Sequence, residues 1–133
     1  MAGAPSGRRQ RGETGSLTLE VAILAPVLLL LVLTIVQVAL WSYARSLALG
    51  AAQEGVAAAR VESGTLQAGR ARALDFLART GSDSLIAPQV AVRTTLREVE
   101  VEVSGNALSV LPGVPGLPVR QSAEGPIERF TRP

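Results

Sequence analysis

The sequence predicts an α+β protein with a long N-terminal helix that starts in a membrane, a second short helix and a small antiparallel β-sheet. Three observations lead to this prediction. Residues 21–44 carry no charged side chain, and a helix needs about 20 apolar residues to cross a bilayer. A helical period of small residues follows that run, and valine alternates with glutamate later in the chain. These two periods are typical of a helix and of a strand.

Composition limits what the chain can do. Its 133 residues leave room for one small domain beyond the long helix. Cysteine and histidine are both absent, so disulfides, zinc–thiolate sites and the commonest general base are excluded. We therefore expect no catalytic, cofactor-binding or metal-binding residues. The arginines after residue 45 are scattered and aromatic residues are few, which argues against nucleic acid as a partner.

Residues 1–15 are predicted to form a basic cytoplasmic leader. Arg8, Arg9 and Arg11 precede the apolar run, and the next arginine is Arg45 on its far side. Positive charge marks the cytoplasmic side of a membrane span. We therefore expect a single-pass protein of the cell membrane, with its N-terminus in the cytoplasm and its C-terminus outside the cytoplasm. The span itself is predicted at about residues 21–43.

Residues 16–61 are predicted to form one continuous helix, because no strong breaker separates the apolar run from the residues that follow. After the run, apolar residues recur at intervals of three and four, which is the spacing of one helix face. This packing stripe consists of Ala44, Leu47, Ala48, Ala51, Ala52, Gly55, Val56 and Ala59. Small residues allow another helix to approach closely. Trp41 and Tyr43 lie where interfacial aromatic residues are expected.

Residues 62–133 are predicted to form an exported α+β head. Thr65 can cap a second helix from Leu66 to about Arg79, and Gly81 can end it. Alternating valines then predict a hairpin that turns at about residues 95–97. Residues 111–118 are rich in proline and glycine and predict a loop. The tail from residue 119 onward can add one short strand.

Three glutamates in the second predicted strand raise the question of a metal site. Glu98, Glu100 and Glu102 share one face, where neighbouring side chains are roughly 6.6 Å apart. That spacing is too wide for all three to bind one ion directly. We expect a solvated face whose glutamates pair across the hairpin with Arg93 or Arg97.

The start of the apolar run has a second pattern. A basic leader, Gly15, four uncharged residues, Glu20 and then a membrane span resemble the processing signature of type IV pilins and pseudopilins. The resemblance implies that a prepilin peptidase cuts between Gly15 and Ser16. Glu20 would then neutralise the new α-ammonium of a neighbouring subunit during assembly. Pairing these charges lowers the cost of a carboxylate beside apolar surface.

The resemblance is more specific over residues 12–60. Two stretches of the chain look like TadE-like proteins: the run Glu-Val-Ala-Ile-Leu-Ala-Pro that begins with Glu20, and the alanine-rich residues 51–60. TadE-like proteins are minor pilins or pseudopilins of the tight-adherence (Flp) pilus. This resemblance implies a pilin-like fold and a structural role in pilus assembly. The implied partners are the prepilin peptidase, other pilin or pseudopilin subunits, an inner-membrane assembly platform and the lipid bilayer. The chain departs from the family at Val21, where tight-adherence pilins often have tyrosine.

Two alternatives stay open. Glu20 can be an interfacial residue at the positive end of the helix dipole, in an uncleaved single-pass surface protein whose head binds something. A secreted protein with an ordinary signal peptide is disfavoured. The apolar region of a signal peptide spans only about 7–15 residues, and the apolar run of this chain is longer.

Overall fold

A computed structural model of the chain describes residue 3, residues 10–61 and residues 64–129. The order of its elements is α1 (Gln10–Ala59), α2 (Leu66–Thr80), β1 (Leu85–Thr94), β2 (Glu98–Ala107) and β3 (Pro118–Pro126). The predicted α+β class is therefore confirmed. The chain divides into two units, Met1–Ile35 and Val36–Pro133. The leader residues Arg8 and Arg9 lie outside the described part, as do residues 62–63 and 130–133.

The first unit contains the start of α1. The helix begins at Gln10, before the predicted start at residue 16, and its last residue is Ala59 rather than residue 61. Gly12 and Gly15 each cost about 1 kcal/mol in a helix interior, and once a helix has formed, each further turn is easy to add. The glycines are therefore too weak to stop the helix, and the last residues of the predicted leader are helical.

The second unit begins with the remainder of α1, and α2 follows it along the chain. Thr65 caps α2 as predicted, because its hydroxyl oxygen accepts a hydrogen bond from the backbone N–H of Ala68 at 3.0 Å. Gly81 ends the helix, and its N–H donates to the carbonyl of Leu77. In the connection, a side chain at Gly64 would meet the carbonyl oxygen of Ala58 at 2.6 Å. The close approach of the backbone requires glycine there.

The sheet is antiparallel and its strand order is β1-β2-β3. Central strand β2 buries Val99, Val101 and Val103, while the glutamates between them point to the other face. The predicted hairpin turn at residues 95–97 is confirmed by the register that pairs Thr94 with Val99. The predicted strand of the tail is β3.

Strand β1 is ten residues long and begins five residues before the first of its alternating valines, Val90 and Val92. It contains a bulge between Ile86 and Gln89, and Ala87 within the bulge has a positive φ of 50°. Pro88 lacks an N–H, so it is tolerated at a bulge of an edge strand. The proline and the bulge break the alternation that the prediction relied on.

One core cluster joins the sheet to both helices in the second unit. It contains the buried valines of β2, Leu85 of β1, Val119 of β3, Ala73 and Leu77 of α2, and the apolar residues of α1 from Ala44 onward. The head is thus built around the second part of α1 and does not form a separate core beside it.

Candidate functional site

The first part of α1 presents apolar side chains on every side. From Leu17 to Val36, all leucine, valine and isoleucine residues are exposed except Leu33, which is half-buried. Among the described residues, one helix is long and apolar enough to cross a membrane, and it is this one. A helix that is apolar all round is suited to lipid or to neighbouring helices rather than to water. The long apolar helix indicates a single-pass membrane anchor.

Glu20 lies at the start of this exposed run. Its side chain is exposed in the single chain, as are Gly15 and Ser16. All three residues lie inside α1, so the backbone on both sides of the Gly15–Ser16 bond is helical. A Cβ atom added at Gly15 would meet no neighbouring atom within 4 Å. The sequence motif therefore lies on accessible helix surface.

The packing stripe has a different environment. All eight of its residues are buried, and their contacts come from the same chain. Ala44, Ala48, Ala51 and Ala52 have no exposed surface at all. The sequence predicts that this face allows another helix to approach closely. In the structure, α2 of the same chain lies against it.

The closest approach between α1 and α2 occurs at two glycines. A Cβ added at Gly55 would lie 3.0 Å from the carbonyl oxygen of Gly69 and 3.3 Å from the Cβ of Ala73. A Cβ added at Gly69 would lie 2.8 Å from the Cβ of Ala59. Neither position has room for a side chain. Glycine and alanine therefore set the short distance between the two helices.

Gln37 is the functional residue that sequence reasoning missed. It follows the exposed run and is only 3% exposed. Its side-chain amide nitrogen donates to the carbonyl of Leu108 at 3.1 Å, and its amide oxygen accepts from the N–H of Val110 at 2.9 Å. The signal was present in the sequence, since a glutamine inside an apolar run must find partners if it is buried.

These two hydrogen bonds hold the segment that connects β2 to β3. We call residues 108–117 the connecting loop; it includes the proline- and glycine-rich residues that predicted a loop. One turn further along α1, the indole N–H of Trp41 donates to the carbonyl of Pro118 at 3.3 Å. Gln37 and Trp41 therefore bind the two ends of the connecting loop to the same face of α1.

Trp41 also has a charged neighbour. The guanidinium carbon of Arg45 lies 4.8 Å from the centre of the indole ring, which is within the range of a cation–π contact. Trp41 is half-buried against the core, whereas Tyr43 is exposed. The predicted role of both as interfacial anchors stays a prediction. The structure adds that Trp41 packs on the head.

The charged side chains of the head form exposed pairs within the chain. Glu54 pairs with Arg72 at 3.0 Å, which ties α1 to α2. On the outer face of the sheet, Arg93 lies opposite Glu100 in the register of β1 and β2, and Arg120 of β3 lies 3.7 Å from Glu102. Glu100 thus has the predicted cationic neighbour, Arg93, across the hairpin, whereas the neighbour of Glu102 is Arg120 of β3. Glu98 lies opposite Pro126.

Comparison with known families identifies the N-terminal part of the chain. The family described as TadE-like protein matches residues 15–57. This is a TadE-like segment. The match extends from Gly15 through Glu20 and Gln37 to residue 57, so it includes every residue of the packing stripe except Ala59. It confirms the resemblance drawn from the sequence, and it indicates a component related to the tight-adherence (Tad) pilus. Comparison with curated proteins and with solved structures gives no match.

The TadE-like segment contains both surfaces of α1 described above. Its first part is the exposed apolar run, and its second part is the packing stripe that supports the head. The family is one of structural pilus components, so other pilus subunits are the partners that the match indicates. Within the segment, Gln37 marks the change from exposed to buried side chains.

Proposed function

We propose that this chain is a structural minor pilin or pseudopilin-like component needed to assemble a tight-adherence (Flp or type IV-like) pilus or a related export machine. The observation that carries the proposal is the TadE-like match to the part of α1 in which Glu20 precedes an exposed apolar run. A small head built on the same helix fits a subunit that is held by its N-terminus. The proposed role involves no catalysis and no cofactor.

The arginines set the proposed orientation. With Arg8, Arg9 and Arg11 before the run and Arg45 after it, the leader stays in the cytoplasm and residues 62–133 lie outside it. Before assembly, the lipid bilayer holds the subunit. The prepilin peptidase, other pilin or pseudopilin subunits and the inner-membrane assembly platform are its further partners.

We place the processing bond between Gly15 and Ser16. Cleavage there frees an α-ammonium group on Ser16. Ser16 and Glu20 are four residues apart in α1, which corresponds to about 6 Å along the axis and puts them on one face. One helix face therefore carries both an α-ammonium and a carboxylate. When two subunits pack through this face, the carboxylate of Glu20 in one can pair with the α-ammonium of Ser16 in the other. Such a pair reduces the cost of burying either charge among apolar helices.

Contacts between subunits need apolar surface that the chain itself does not cover. The packing stripe is covered by α2 and the sheet of its own chain. The exposed run from Leu17 to Val36 is the apolar surface of α1 that stays available. We therefore place contacts between subunits on this run, where lipid contacts would be exchanged for helix contacts as a subunit leaves the bilayer.

The first experiment is intact-mass spectrometry of the chain isolated from native membranes. A mature chain that begins at Ser16 is the expected result. A chain that begins at Met1 or Ala2 would contradict the processing step, and a start beyond residue 40 would contradict the membrane-held subunit altogether.

The second experiment tests Glu20 directly. Glu20→Ala and Glu20→Gln should both abolish or strongly reduce pilus assembly while the protein still accumulates in the membrane. The matched control is Glu54→Gln, since Glu54 lies on the same helix but pairs with Arg72 of its own chain. Normal pilus assembly in both Glu20 variants would contradict the proposed role.

One observation favours the second candidate, an uncleaved single-pass surface protein with a binding head. The Gly15–Ser16 bond lies inside a helix that begins at Gln10, so the backbone must unwind locally before a peptidase can bind it as an extended chain. An uncut N-terminus, together with normal pilus assembly in cells that carry Glu20→Ala, would favour this candidate.

A further inference from the structure

The connecting loop is unusually apolar for an exposed loop. Residues 108–117 read Leu-Ser-Val-Leu-Pro-Gly-Val-Pro-Gly-Leu and contain no charged residue. Leu108, Val114 and Leu117 are each about 40% exposed, at 41%, 43% and 38%. Surface loops are normally polar because water surrounds them. Three partly exposed aliphatic side chains in one uncharged loop offer an apolar surface to a partner other than water.

The loop also has a defined conformation. The carbonyl of Leu111 accepts from the N–H of Val114 at 3.3 Å across Pro112 and Gly113, and Gly113 has a φ of +73°. Proline followed by a glycine of positive φ is the sequence of a type II turn. The hydroxyl of Ser109 donates to the carbonyl of Val114 at 2.7 Å. The turn therefore fixes the backbone next to Val114, whose side chain is partly exposed.

Hydrogen bonds within the chain occupy part of the loop's polar backbone. The carbonyl groups of Leu108, Leu111, Val114 and Leu117 accept hydrogen bonds from the chain itself, as does that of Pro118 at the start of β3. Pro112 and Pro115 have no N–H group to satisfy. Satisfied backbone groups are what a segment needs if it is to leave water, since each unpaired group is costly in an apolar environment.

The point of attachment places the loop along the chain. Gln37, which binds it, directly follows the exposed run from Leu17 to Val36. The span predicted at about residues 21–43 corresponds to about 34 Å of helix, close to the thickness of the hydrocarbon core, and Gln37 lies in its last two turns. Trp41 and Arg45 follow within the next turns, and both residue types favour the level of the lipid head groups. A loop bound to Gln37 and Trp41 is therefore at the depth where the bilayer ends.

We propose that the connecting loop inserts its aliphatic side chains into the outer interface of the same bilayer that α1 spans. This inference rests on the membrane anchoring in the proposed function. It gives the head a second contact with the lipid surface beside the helix. During assembly, extraction of a subunit from the bilayer would then have to withdraw the loop as well as the span.

The test uses the full chain, whose lack of cysteine allows single labelling sites. Three variants, Val114→Cys, Leu96→Cys and Leu28→Cys, are labelled with an environment-sensitive fluorophore. They are reconstituted at low density in vesicles of phosphatidylethanolamine and phosphatidylglycerol, with or without lipids that carry a nitroxide quencher on the upper acyl chain. Leu96 is the matched control, because it is an aliphatic residue of the β1–β2 turn and is 83% exposed.

We expect the nitroxide lipids to remove most of the emission at position 114 and to leave position 96 unchanged. Quenching at position 28 shows that the span is inserted. Equal, weak quenching at positions 114 and 96 would overturn the inference. A blue shift at position 114 without quenching would also overturn it, because a second copy of the chain would then cover the loop. Absence of quenching at position 28 would overturn the membrane anchoring itself and thus the proposed function.

A second comparison tests whether Gln37 holds the connecting loop at the bilayer. Gln37→Ala removes both hydrogen bonds that hold the loop, and it should lower the quenching at position 114 while quenching at position 28 is retained. Thr34→Ala is the control, because the Thr34 hydroxyl donates to the carbonyl of Leu30 within α1. Equal effects of the two variants at position 114 would contradict the role of Gln37 in placing the loop at the bilayer.

Discussion

The two parts of α1 are both apolar, but they differ in residue size and in exposure. From Leu17 to Val36 the helix carries mostly leucine, valine and isoleucine, and almost all of these side chains are exposed. From Ala44 to Ala59 the packing stripe is mostly alanine and glycine, and all of it is buried. The larger and more hydrophobic side chains are therefore the ones without partners in the chain.

This difference shows that apolar character and burial within the chain are separate properties. In water, large exposed aliphatic side chains would be strongly unfavourable. Their exposure is reasonable only where lipid or other helices replace water. The small residues of the second part serve a different purpose, since their size allows the backbone of α2 to come close. Residue size along one helix thus distinguishes the surface for other molecules from the surface for the chain's own head.

The sharpest way to break this comparison is to make the same change in both parts. Leu47→Ala removes a side chain that is 5% exposed in the stripe and should destabilise the head by about 2–5 kcal/mol. Leu28→Ala, in the exposed run, should change head stability by less than about 0.5 kcal/mol. Urea unfolding in detergent micelles, followed by the fluorescence of the single tryptophan, Trp41, measures both. Equal losses would contradict the division of α1 into two surfaces.

The next largest effect concerns backbone approach. Gly69→Val places a branched side chain where a Cβ alone would be 2.8 Å from the Cβ of Ala59. We expect a loss of about 1–3 kcal/mol from overpacking, despite the better helix propensity of valine. Gly15→Ala is the control in the same unfolding assay, because it has no neighbouring atom within 4 Å. A stable Gly69→Val head would mean that the two helices can separate without cost.

A third prediction sharpens the boundary between the two parts. Gln37→Ala should weaken the attachment of the connecting loop by about 1–3 kcal/mol, because it removes two part-buried hydrogen bonds, each of which contributes about 0.5–1.5 kcal/mol net. Hydrogen exchange should rise at Val110 and its neighbours while the strands stay protected. Thr34→Ala should leave that exchange unchanged. Equal hydrogen exchange of the loop in the Gln37→Ala and Thr34→Ala variants would show that Gln37 does not hold the loop.

The smallest expected effect concerns the surface ion pair between the helices. Both side chains of the Glu54–Arg72 pair are about half exposed, and exposed pairs contribute about 0.2–1 kcal/mol. Arg72→Gln should therefore lower head stability by about 0.5 kcal/mol at low salt and by less at high salt. A loss comparable to that of Leu47→Ala would mean that charge, rather than close packing, joins α1 to α2.

Much of this fold follows from local signals in the sequence. Thr65 and Gly81 mark the ends of α2, and the valine–glutamate alternation marks β2, because these patterns depend on neighbours along the chain. The bulge at Ala87 and the true start of α1 at Gln10 were not predicted. The early start of α1 was missed because Gly12 and Gly15 are too weak to stop the helix. The bulge was missed because it depends on how β1 pairs with β2.

The candidate site was harder to predict than the fold. The family resemblance over residues 12–60 was recognisable, and the match to residues 15–57 confirms it. The role of Gln37 was not predictable from spacing, because its partners are more than 70 residues away in the sequence. The stripe of small residues showed that a helix packs there, but it could not show whether that helix belongs to the same chain or to another one.

The residues of the packing stripe have a further consequence for how so small a head can fold. Alanine and glycine have no side-chain rotamers to lose, whereas a buried leucine or methionine loses about 0.5–2 kcal/mol of conformational entropy. The contact between α1 and α2 is therefore formed from side chains that are already ordered in the unfolded chain. The entropic cost of this contact therefore falls mainly on the backbone, where glycine loses more freedom than any other residue.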